Sequence, residues 1–341
     1  MPDNSNERQR FLADTLAGLS SPSPEIPCKY LYDARGSELF EAICETEDYY
    51  VTRADLALHE QYLPEISRQI GPGAHIIEFG SGSGIKTRKL LAALESPRAY
   101  TPIEISVSAL EESVQPLRRD IPDIQIHPVQ ADYTADIPGH LLKIDPPPRR
   151  RVVYFPGSTI SNFDHDEAIA FLERMRNIAR PHGGILIGVD LLKSEAALVR
   201  AYDDRDGITA QFNLNLLERV RRELKAEVET SAFRHKARFN RELSRIEMHL
   251  VAIRPTYIVI GEHRFEFVGG DSIHTESSHK YTVESFQALA AQAGLDSIKV
   301  WTDPDELFSM HWLEERGKGK GERGKVKGER LGSNLSLTFY F

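Results

Sequence analysis

From His75 onward, short apolar runs alternate with segments in which apolar residues recur every three or four positions. The short runs predict buried strands and the longer segments predict amphipathic helices. The predicted strands are HIIEF (75–79), YTPIEI (100–105), IQIHPVQ (124–130), RVVYF (151–155) and GILIGVD (184–190), and the predicted helices are KTRKLLAAL (86–94), VSALEESVQPL (107–117) and DHDEAIAFLERM (164–175). This alternation is typical of an α/β fold with a doubly wound sheet.

The pattern changes near Lys193 and returns near Lys280. The segment between them carries two helical patterns, EAALVRAYDD (195–204) and TAQFNLNLLERVRREL (209–224), and two strand-like runs, RIEMHLVAI (245–253) and RFEFV (264–268). A helix, YTVESFQALAAQAG (281–294), and a strand, SIKVWTD (297–303), then resume the first theme. We therefore expect an inserted α+β unit within the doubly wound domain.

Composition narrows the class of protein. The chain has 341 residues, 40% of them apolar, which is enough for a full core. Its net charge of -9 argues against a nucleic-acid or membrane-surface binder, since both need a basic field, and favours a small-molecule substrate. The two cysteines, Cys28 and Cys44, form no disulfide framework and no zinc motif, and the N-terminus has no secretory apolar core. We expect a cytoplasmic monomer without a metal.

The C-terminal region differs from the rest. From Glu315 to Arg330 the sequence reads ERGKGKGERGKVKGER, a charged, low-complexity run with no apolar stripe to bury. We predict that residues 315–341 form a disordered tail.

A glycine-rich turn follows the first predicted strand: Glu78-Phe-Gly80-Ser-Gly82-Ser-Gly84. Lys86 and Thr87 fit a phosphate loop, but Ile85 stands where that motif and the dinucleotide fingerprint both need glycine. An acidic residue followed by alternating glycines resembles instead the first motif of Rossmann-like S-adenosylmethionine-dependent methyltransferases. A nucleotide-binding or NTP-hydrolysing module that reuses this turn remains the alternative.

Two further acids support the methyltransferase interpretation. Glu104 ends the second predicted strand, where a carboxylate can accept from both ribose hydroxyls, and Asp132 follows the third strand, where it can accept from the adenine amino group. Ligands of open α/β sheets bind at this edge, so acids at the ends of consecutive strands are expected there.

Five longer strings define a closer resemblance. They are KYLYDARGSELFEAICETEDYYVTRAD (29–55), YFPGSTISNF (154–163), RAYDD (200–204), RIEMHL (245–250) and HTESSHKY (274–281). Over residues 10 to 314 the chain resembles the histidine Nα-methyltransferases of ergothioneine biosynthesis, which transfer three methyl groups from S-adenosylmethionine to the α-amino nitrogen of histidine. The resemblance implies a methyltransferase domain (54–192 with 281–314) and a substrate-binding domain (1–53 with 193–280). Related enzymes act on tryptophan-derived substrates, so another amino acid or amine remains an alternative substrate.

The resemblance also implies site residues. The cofactor contacts would be Gly80, Gly82, Lys86, Glu104, Asp132 and Tyr133. The substrate contacts would be Tyr32, Tyr49, Asn162, Tyr202, Met248, Glu276, Ser277 and Ser278. Methyl transfer requires an uncharged amine aligned with the sulfonium methyl, and Asn162, Tyr49 and Tyr202 are the catalytic candidates that would hold it. Glu276 is the expected specificity residue, because a carboxylate can accept an imidazole N–H.

Overall fold

The computed structural model describes residues 4–82, 84–105 and 107–317. Three helices come first, and strands then alternate with helices up to Asp190. These elements are α1 (Asn4–Leu19), α2 (Ala34–Glu45), α3 (Tyr50–Ile70), β1 (Ala74–Phe79), α4 (Ile85–Ala93), β2 (Ala99–Glu104), α5 (Val107–Asp120), β3 (Gln125–Ile126), β4 (Val129–Gln130), β5 (Arg150–Phe155), α6 (His165–Ala179) and β6 (Gly184–Asp190).

The second half begins with two helices and six strands and ends with one helix and two strands. Its elements are α7 (Glu195–Tyr202), α8 (Ile208–Leu224), β7 (Glu227–Val228), β8 (Phe233–Asn240), β9 (Arg245–Ala252), β10 (Thr256–Ile260), β11 (His263–Phe267), β12 (Ser272–His279), α9 (Val283–Gln292), β13 (Leu295–Thr302) and β14 (Phe308–Glu315).

The central sheet has eight strands. Its order is β13-β14-β6-β5-β1-β2-β3, with β4 also beside β2, and β14 runs antiparallel to both of its neighbours while the other pairs are parallel. Along β1, Ile76 packs into one apolar cluster and Ile77 into another, because successive side chains of a strand point to opposite faces. Both faces are covered, which confirms the predicted doubly wound α/β fold.

Residues 193–280 do not join the central sheet. They form two small antiparallel sheets, β11-β10-β7 and β12-β9-β8, and α7 and α8 pack against the second of these. In that sheet Met248 lies opposite Glu276, and a bulge between His274 and Glu276 shifts the register. The insertion is therefore α+β, as predicted.

The structure departs from the predicted strands in three places. Residues 124–130 form two short strands in one continuous register on β2, since Pro128 has no N–H to donate to the ladder. The strands β7, β8, β10 and β12 were not predicted, and neither was β14, whose run FSMHWLEE fills the gap between β6 and β13. β14 also includes Glu315, the first residue of the predicted tail, and residues 318–341 lie outside the described residues.

No helix within residues 4–82, 84–105 and 107–317 is long and apolar enough to span a bilayer.

Candidate active site

The glycine turn after β1 has the backbone that its sequence implies. Gly80, Gly82 and Gly84 have φ of 71°, 47° and 66°, a region in which side chains are strained. A Cβ added to Gly80 would lie 3.5 Å from the ring of Tyr133, whereas one added to Gly82 would meet nothing within 4 Å. The turn is thus covered by Tyr133 on one side and open at Gly82, which leaves backbone accessible to a ligand.

Glu78, the acid of this motif, is part of the scaffold. Its carboxylate is buried and accepts hydrogen bonds from Thr87 Oγ1 at 2.7 and 2.8 Å and from the Tyr100 hydroxyl. Burial raises the pKa of Glu78 to about 7, even though the Tyr100 and Thr87 hydrogen bonds lower it. Through Thr87 this carboxylate ties the end of β1 to α4, and so fixes the glycine turn between them.

Glu104 and Asp132 lie at the carboxyl edge of the sheet. Glu104 is the last residue of β2, and its carbonyl accepts from the Ala131 N–H at 3.1 Å, which brings Asp132 beside it. Oδ1 of Asp132 accepts from the backbone and hydroxyl of Thr134, at 2.9 and 2.6 Å. The two acids are neighbours at the same edge as the glycine turn, and one oxygen of Asp132 is used by its own turn.

Tyr133 forms a wall next to the turn. Its ring stacks on Phe79 with a centroid separation of 5.8 Å and an interplanar angle of 2°. Burial, then the nearby Glu104 charge, raises the pKa of the Tyr133 hydroxyl, so this group is a neutral hydrogen-bonding phenol. It therefore presents an apolar ring face and a hydroxyl near Gly80.

Lys86, at the start of α4, is held by a buried carboxylate. Its Nζ lies 2.5 Å from Oδ2 of Asp55 in α3, and the same oxygen accepts from the Gly157 N–H at 3.0 Å. Burial alone would raise the pKa of Asp55, but Lys86 and His59 outweigh it and hold the pKa below its usual range. The Lys86 side chain keeps 21% of its surface exposed, so it can still meet a ligand.

Five aromatic residues from the N-terminal region and the insertion line a second wall. The ring of Tyr49 meets that of Tyr202 edge to face at 6.0 Å, and Tyr32 packs edge to face against Phe40 and Phe212 at 5.5 and 5.4 Å. Tyr32 keeps 40% of its surface exposed although burial raises the pKa of its hydroxyl. The Tyr32 ring is thus packed against aromatic side chains on some of its sides and accessible to a ligand on the remainder.

Glu276 belongs to this wall. Burial raises the pKa of its carboxyl to about 7, although Lys280 lowers it, and its charge in turn raises the pKa of Tyr32, Tyr49 and Tyr202. Within the described part of the chain, its buried Oε2 atom has no hydrogen-bond partner. A buried carboxylate oxygen without a donor is costly, and a bound N–H would satisfy it.

The neighbours of Glu276 on β12 face opposite ways. Ser278 lies on the same side as Glu276, and its hydroxyl is 2.8 Å from that of Tyr202. Ser277 points to the other face of the sheet, where its hydroxyl is 3.1 Å from Nε2 of His274. The structure thus brings Ser278 into the tyrosine cluster and leaves Ser277 out of it.

Asn162 and Met248 complete the predicted substrate residues. Asn162 ends the short 3-10 helix Thr159–Asn162, which packs against β12, and its side chain has no hydrogen-bond partner among the described residues. Met248 is buried in β9 opposite Glu276 and contributes apolar surface behind it. The turn before Asn162 contacts both α3 and β6, since the Gly157 N–H donates to Asp55 and Ser158 Oγ accepts from the Asp190 N–H at 2.7 Å.

Sequence reasoning missed three buried charges at this site: Asp55, Asp190 and Lys280. Lys280 Nζ donates to Asp190 Oδ2 at 2.6 Å, and Asp190 also accepts from Lys193 at 2.7 Å and from the Tyr50 hydroxyl at 2.9 Å. The available signal was a charged residue inside an apolar pattern, as in GILIGVD, where Asp190 ends β6 at the carboxyl edge of the sheet.

A separate concavity of about 260 Å³ lies at the amino ends of β5 and β6, lined among others by Arg150, Arg180 and Glu315. It opens at the edge of the sheet opposite to the glycine turn. Open α/β sheets bind their ligands at the carboxyl edge, so this concavity is not the candidate active site.

The fold and the site together define a class. The sheet is doubly wound, its last two strands form an antiparallel hairpin, a positive-φ glycine turn follows β1, and acids lie at the end of β2 and after β4. This is the arrangement of a Rossmann-like S-adenosylmethionine-dependent methyltransferase. The profile of the family described as "Histidine-specific methyltransferase, SAM-dependent" matches residues 11–315, and the chain belongs to that family.

Relatives agree with this assignment. The chain is 37% identical over 302 residues to the histidine N-alpha-methyltransferase of Mycobacterium tuberculosis (strain CDC 1551 / Oshkosh), covering 87% of this chain and 92% of that protein. It is 36% identical to the enzyme of the same name from Mycolicibacterium smegmatis, with the same coverage. A more distant relative, 25% identical and covering 84% of this chain and 90% of its own length, is a 4-dimethylallyltryptophan N-methyltransferase of Claviceps purpurea.

Proposed function

We propose that this protein transfers methyl groups from S-adenosylmethionine to the α-amino nitrogen of L-histidine, giving the trimethylated betaine hercynine, the first step of ergothioneine biosynthesis. Membership of the histidine-specific family supports the reaction. The observation that carries the substrate assignment is the buried, unpartnered Oε2 of Glu276 within a cluster of tyrosine hydroxyls. An imidazole N–H is a donor of the right size and polarity for that oxygen.

In the proposed complex the imidazole ring lies against Glu276, with the Tyr49 hydroxyl available to its second nitrogen. The α-carboxylate lies toward Tyr202 and Asn162. The amide of Asn162, free of protein partners in the described chain, can donate to the carboxylate and accept from the amine. Tyr32 and Met248 close the pocket around the ring. Three fixed attachment points orient the amine, and such orientation can lower a barrier by several kcal/mol, roughly 7 to 11 in well-ordered cases.

The donor side is assigned to the glycine turn. Gly80 and Gly82 let the backbone approach the amino-acid end of S-adenosylmethionine, and Lys86 lies near that end. Glu104 would accept from the ribose hydroxyls, and Asp132 and Tyr133 would border the adenine. The open backbone at Gly82 supports this placement, because a side chain there would fill the space that a ligand needs. When bound, S-adenosylmethionine supplies a methyl carbon activated by positive sulfur.

The positions of these residues along the chain suggest which segments bind the substrate and which bind the methyl donor. Tyr32 and Tyr49 precede Arg53, and Tyr202 and Glu276 belong to the 193–280 insertion, whereas the glycine turn belongs to the central sheet. We infer that residues 1–53 and 193–280 bind the substrate, and that residues 54–192 and 281–314 bind the methyl donor.

A tryptophan-derived substrate is the second candidate, favoured by the Claviceps purpurea relative. Glu276 argues for histidine. An indole has a single N–H and no second ring nitrogen, so it would leave either the buried carboxylate or the neighbouring hydroxyls without a partner.

Mass spectrometry of L-histidine incubated with the protein and S-adenosylmethionine tests the proposal. We expect mono-, di- and trimethylated histidine, and no methylation of tryptophan or 4-dimethylallyltryptophan under the same conditions. Thermal-shift measurements with S-adenosylhomocysteine, ATP and NAD provide a check that does not need turnover. Stabilisation by ATP alone, without stabilisation by S-adenosylhomocysteine, would contradict the proposal and favour a nucleotide-binding module.

A further inference from the structure

A buried lysine lies directly behind the proposed substrate wall. The side chain of Lys280 is fully enclosed, so it cannot touch a ligand in the cleft. Its Nζ donates to Tyr202 Oη at 2.9 Å, to Ser278 Oγ at 2.8 Å and to Asp190 Oδ2 at 2.6 Å. All three ammonium protons therefore have acceptors.

The two hydroxyls that accept from Lys280 also bond to each other. Tyr202 Oη and Ser278 Oγ are 2.8 Å apart, so Lys280, Tyr202 and Ser278 form a closed triangle of hydrogen bonds. Two hydroxyl protons belong to this triangle, and one of them lies between the two oxygens. Neither hydroxyl has a further partner in the described part of the chain, so the second proton is not used within the protein.

Lys280 fixes which way these hydroxyls can point. An ammonium group has no lone pair, so Tyr202 and Ser278 cannot donate back to it. The unused proton must therefore point away from Lys280, and in the proposed complex it faces the bound substrate beside Glu276 and Tyr49. A hydroxyl whose oxygen accepts from a cation is also a stronger donor, because successive hydrogen bonds polarise one another.

We propose that Lys280 is a positioning residue that sets the Tyr202–Ser278 pair as a single hydrogen-bond donor for the α-carboxylate of the substrate, and so selects α-amino acids over amines that lack a carboxylate. The inference rests on the proposed histidine site, because it takes that cleft as the place where the carboxylate binds. The inference gives a role to a residue that does not contact the ligand, and it gives a physical reason why the protein would bind histidine in preference to histamine.

The chain offers a matched control. Lys193 donates to Oδ1 of the same Asp190 at 2.7 Å, but it contacts Tyr50 and not Tyr202 or Ser278. Lys193→Met thus removes one lysine from Asp190 and leaves the triangle intact. Lys280→Met removes the other lysine and opens the triangle, while Asp190 keeps Lys193 and Tyr50 as partners.

The test is calorimetric titration of histidine and of histamine into the full-length protein saturated with S-adenosylhomocysteine. For Lys280→Met we expect histidine to bind roughly ten- to a hundredfold more weakly, with histamine affinity changed less than threefold. S-adenosylhomocysteine affinity should change less than twofold, and Lys193→Met should change histidine affinity less than threefold. Lys280→Gln keeps N–H donors without the charge, and we expect it to lose less than Lys280→Met.

Unchanged histidine affinity in Lys280→Met, or equal weakening of histidine and histamine, would overturn the inference. Equal losses in Lys280→Met and Lys193→Met would also overturn it, because the charge of the cluster and not the triangle would then be responsible. If Lys280→Met does not fold, the same comparisons apply to Lys280→Gln. A wild-type protein that binds S-adenosylhomocysteine but not histidine would remove the proposed function, and the inference with it.

Discussion

Two buried carboxyl groups, Asp190 and Glu276, lie near the same lysine and have opposite environments. Asp190 accepts hydrogen bonds from Lys280, Lys193 and Tyr50, whereas Oε2 of Glu276 has no partner among the described residues. Lys280 contacts Asp190 directly but reaches Glu276 only through its charge, and burial leaves the pKa of Glu276 at about 7.

This difference in hydrogen-bond partners distinguishes a carboxylate that stabilises the fold from one that is available to a ligand. A buried charge with a full set of donors is satisfied inside the protein, and removing it leaves the donors uncompensated. A buried charge without donors lowers stability until a ligand supplies them. On this argument Asp190 ties the insertion to the central sheet, since it ends β6 and accepts from Lys193 and Lys280 at the two ends of the insertion. We propose that Glu276, in contrast, is kept for the substrate.

The largest expected effect is on folding, at Asp190. In Asp190→Ala, Lys193 and Lys280 would be buried near each other without their shared carboxylate. We expect the free energy of unfolding to fall by about 3 to 5 kcal/mol, measured by urea denaturation. The control is Asp296→Ala, which breaks the exposed pair with Arg316 and should cost less than about 1 kcal/mol. Equal losses in the two variants would show that Asp190 is not a structural charge.

The next effect is on substrate affinity, at Glu276. Glu276→Ala removes the proposed imidazole acceptor, and we expect histidine to bind roughly ten- to a hundredfold more weakly, about 1.5 to 3 kcal/mol. S-adenosylhomocysteine should bind within twofold of the wild type, because Glu276 is not part of the glycine turn. Glu266→Ala, in the exposed strand β11, is the matched control and should change neither affinity. Unaltered histidine binding in Glu276→Ala would refute the specificity assignment.

Glu276 should also leave a signature in stability against pH. Burial raises its folded pKa to about 7 from an ordinary 4.5, so between these values the folded protein holds a proton that the unfolded chain releases. The wild type therefore loses stability from this group as the pH rises from 4.5 to 7. Glu276→Gln cannot titrate at this position, and we expect its free energy of unfolding to rise relative to that of the wild type by about 2 to 3 kcal/mol between pH 5 and pH 8. Parallel stability curves would contradict the buried, unpaired carboxyl.

Asp190 and Glu276 also differ in how far their roles could be predicted from the sequence. The glycine turn, Glu104 and Asp132 follow one another along the chain at strand ends, so the fold and the cofactor edge were accessible from local pattern. Glu276 was predicted through the HTESSHKY resemblance, but its position in a strand was not, because β12 alternates small and polar residues rather than apolar and polar ones. β14 was missed because Ser309 and His311 interrupt the apolar residues of FSMHWLEE and two glutamates end it, so it contains no continuous apolar run.

The Asp190 cluster was inaccessible for a different reason. Its members come from α3, β6, the segment after β6 and the end of β12, and hydrogen bonds between positions as far apart as 143 residues leave no periodic trace. A charged residue at a strand end is common on protein surfaces. Only the packing of the insertion onto the carboxyl edge of the sheet buries Asp190 and Lys280 and makes their pairing necessary.

The smallest expected effect separates two adjacent serines that the family resemblance assigns to the substrate together. Ser278 shares the face of Glu276 and bonds to Tyr202 and Lys280, whereas Ser277 faces His274 on the far side of the sheet. Ser278→Ala should weaken histidine binding by about 1 kcal/mol, roughly fivefold, and Ser277→Ala should change it less than twofold. The two substitutions remove the same atom one position apart, so solubility and helix or strand propensity cancel in the comparison. Similar losses in both variants would mean that β12 does not present a single face to the substrate, and that the register pairing Glu276 with Met248 is not the one that forms the site.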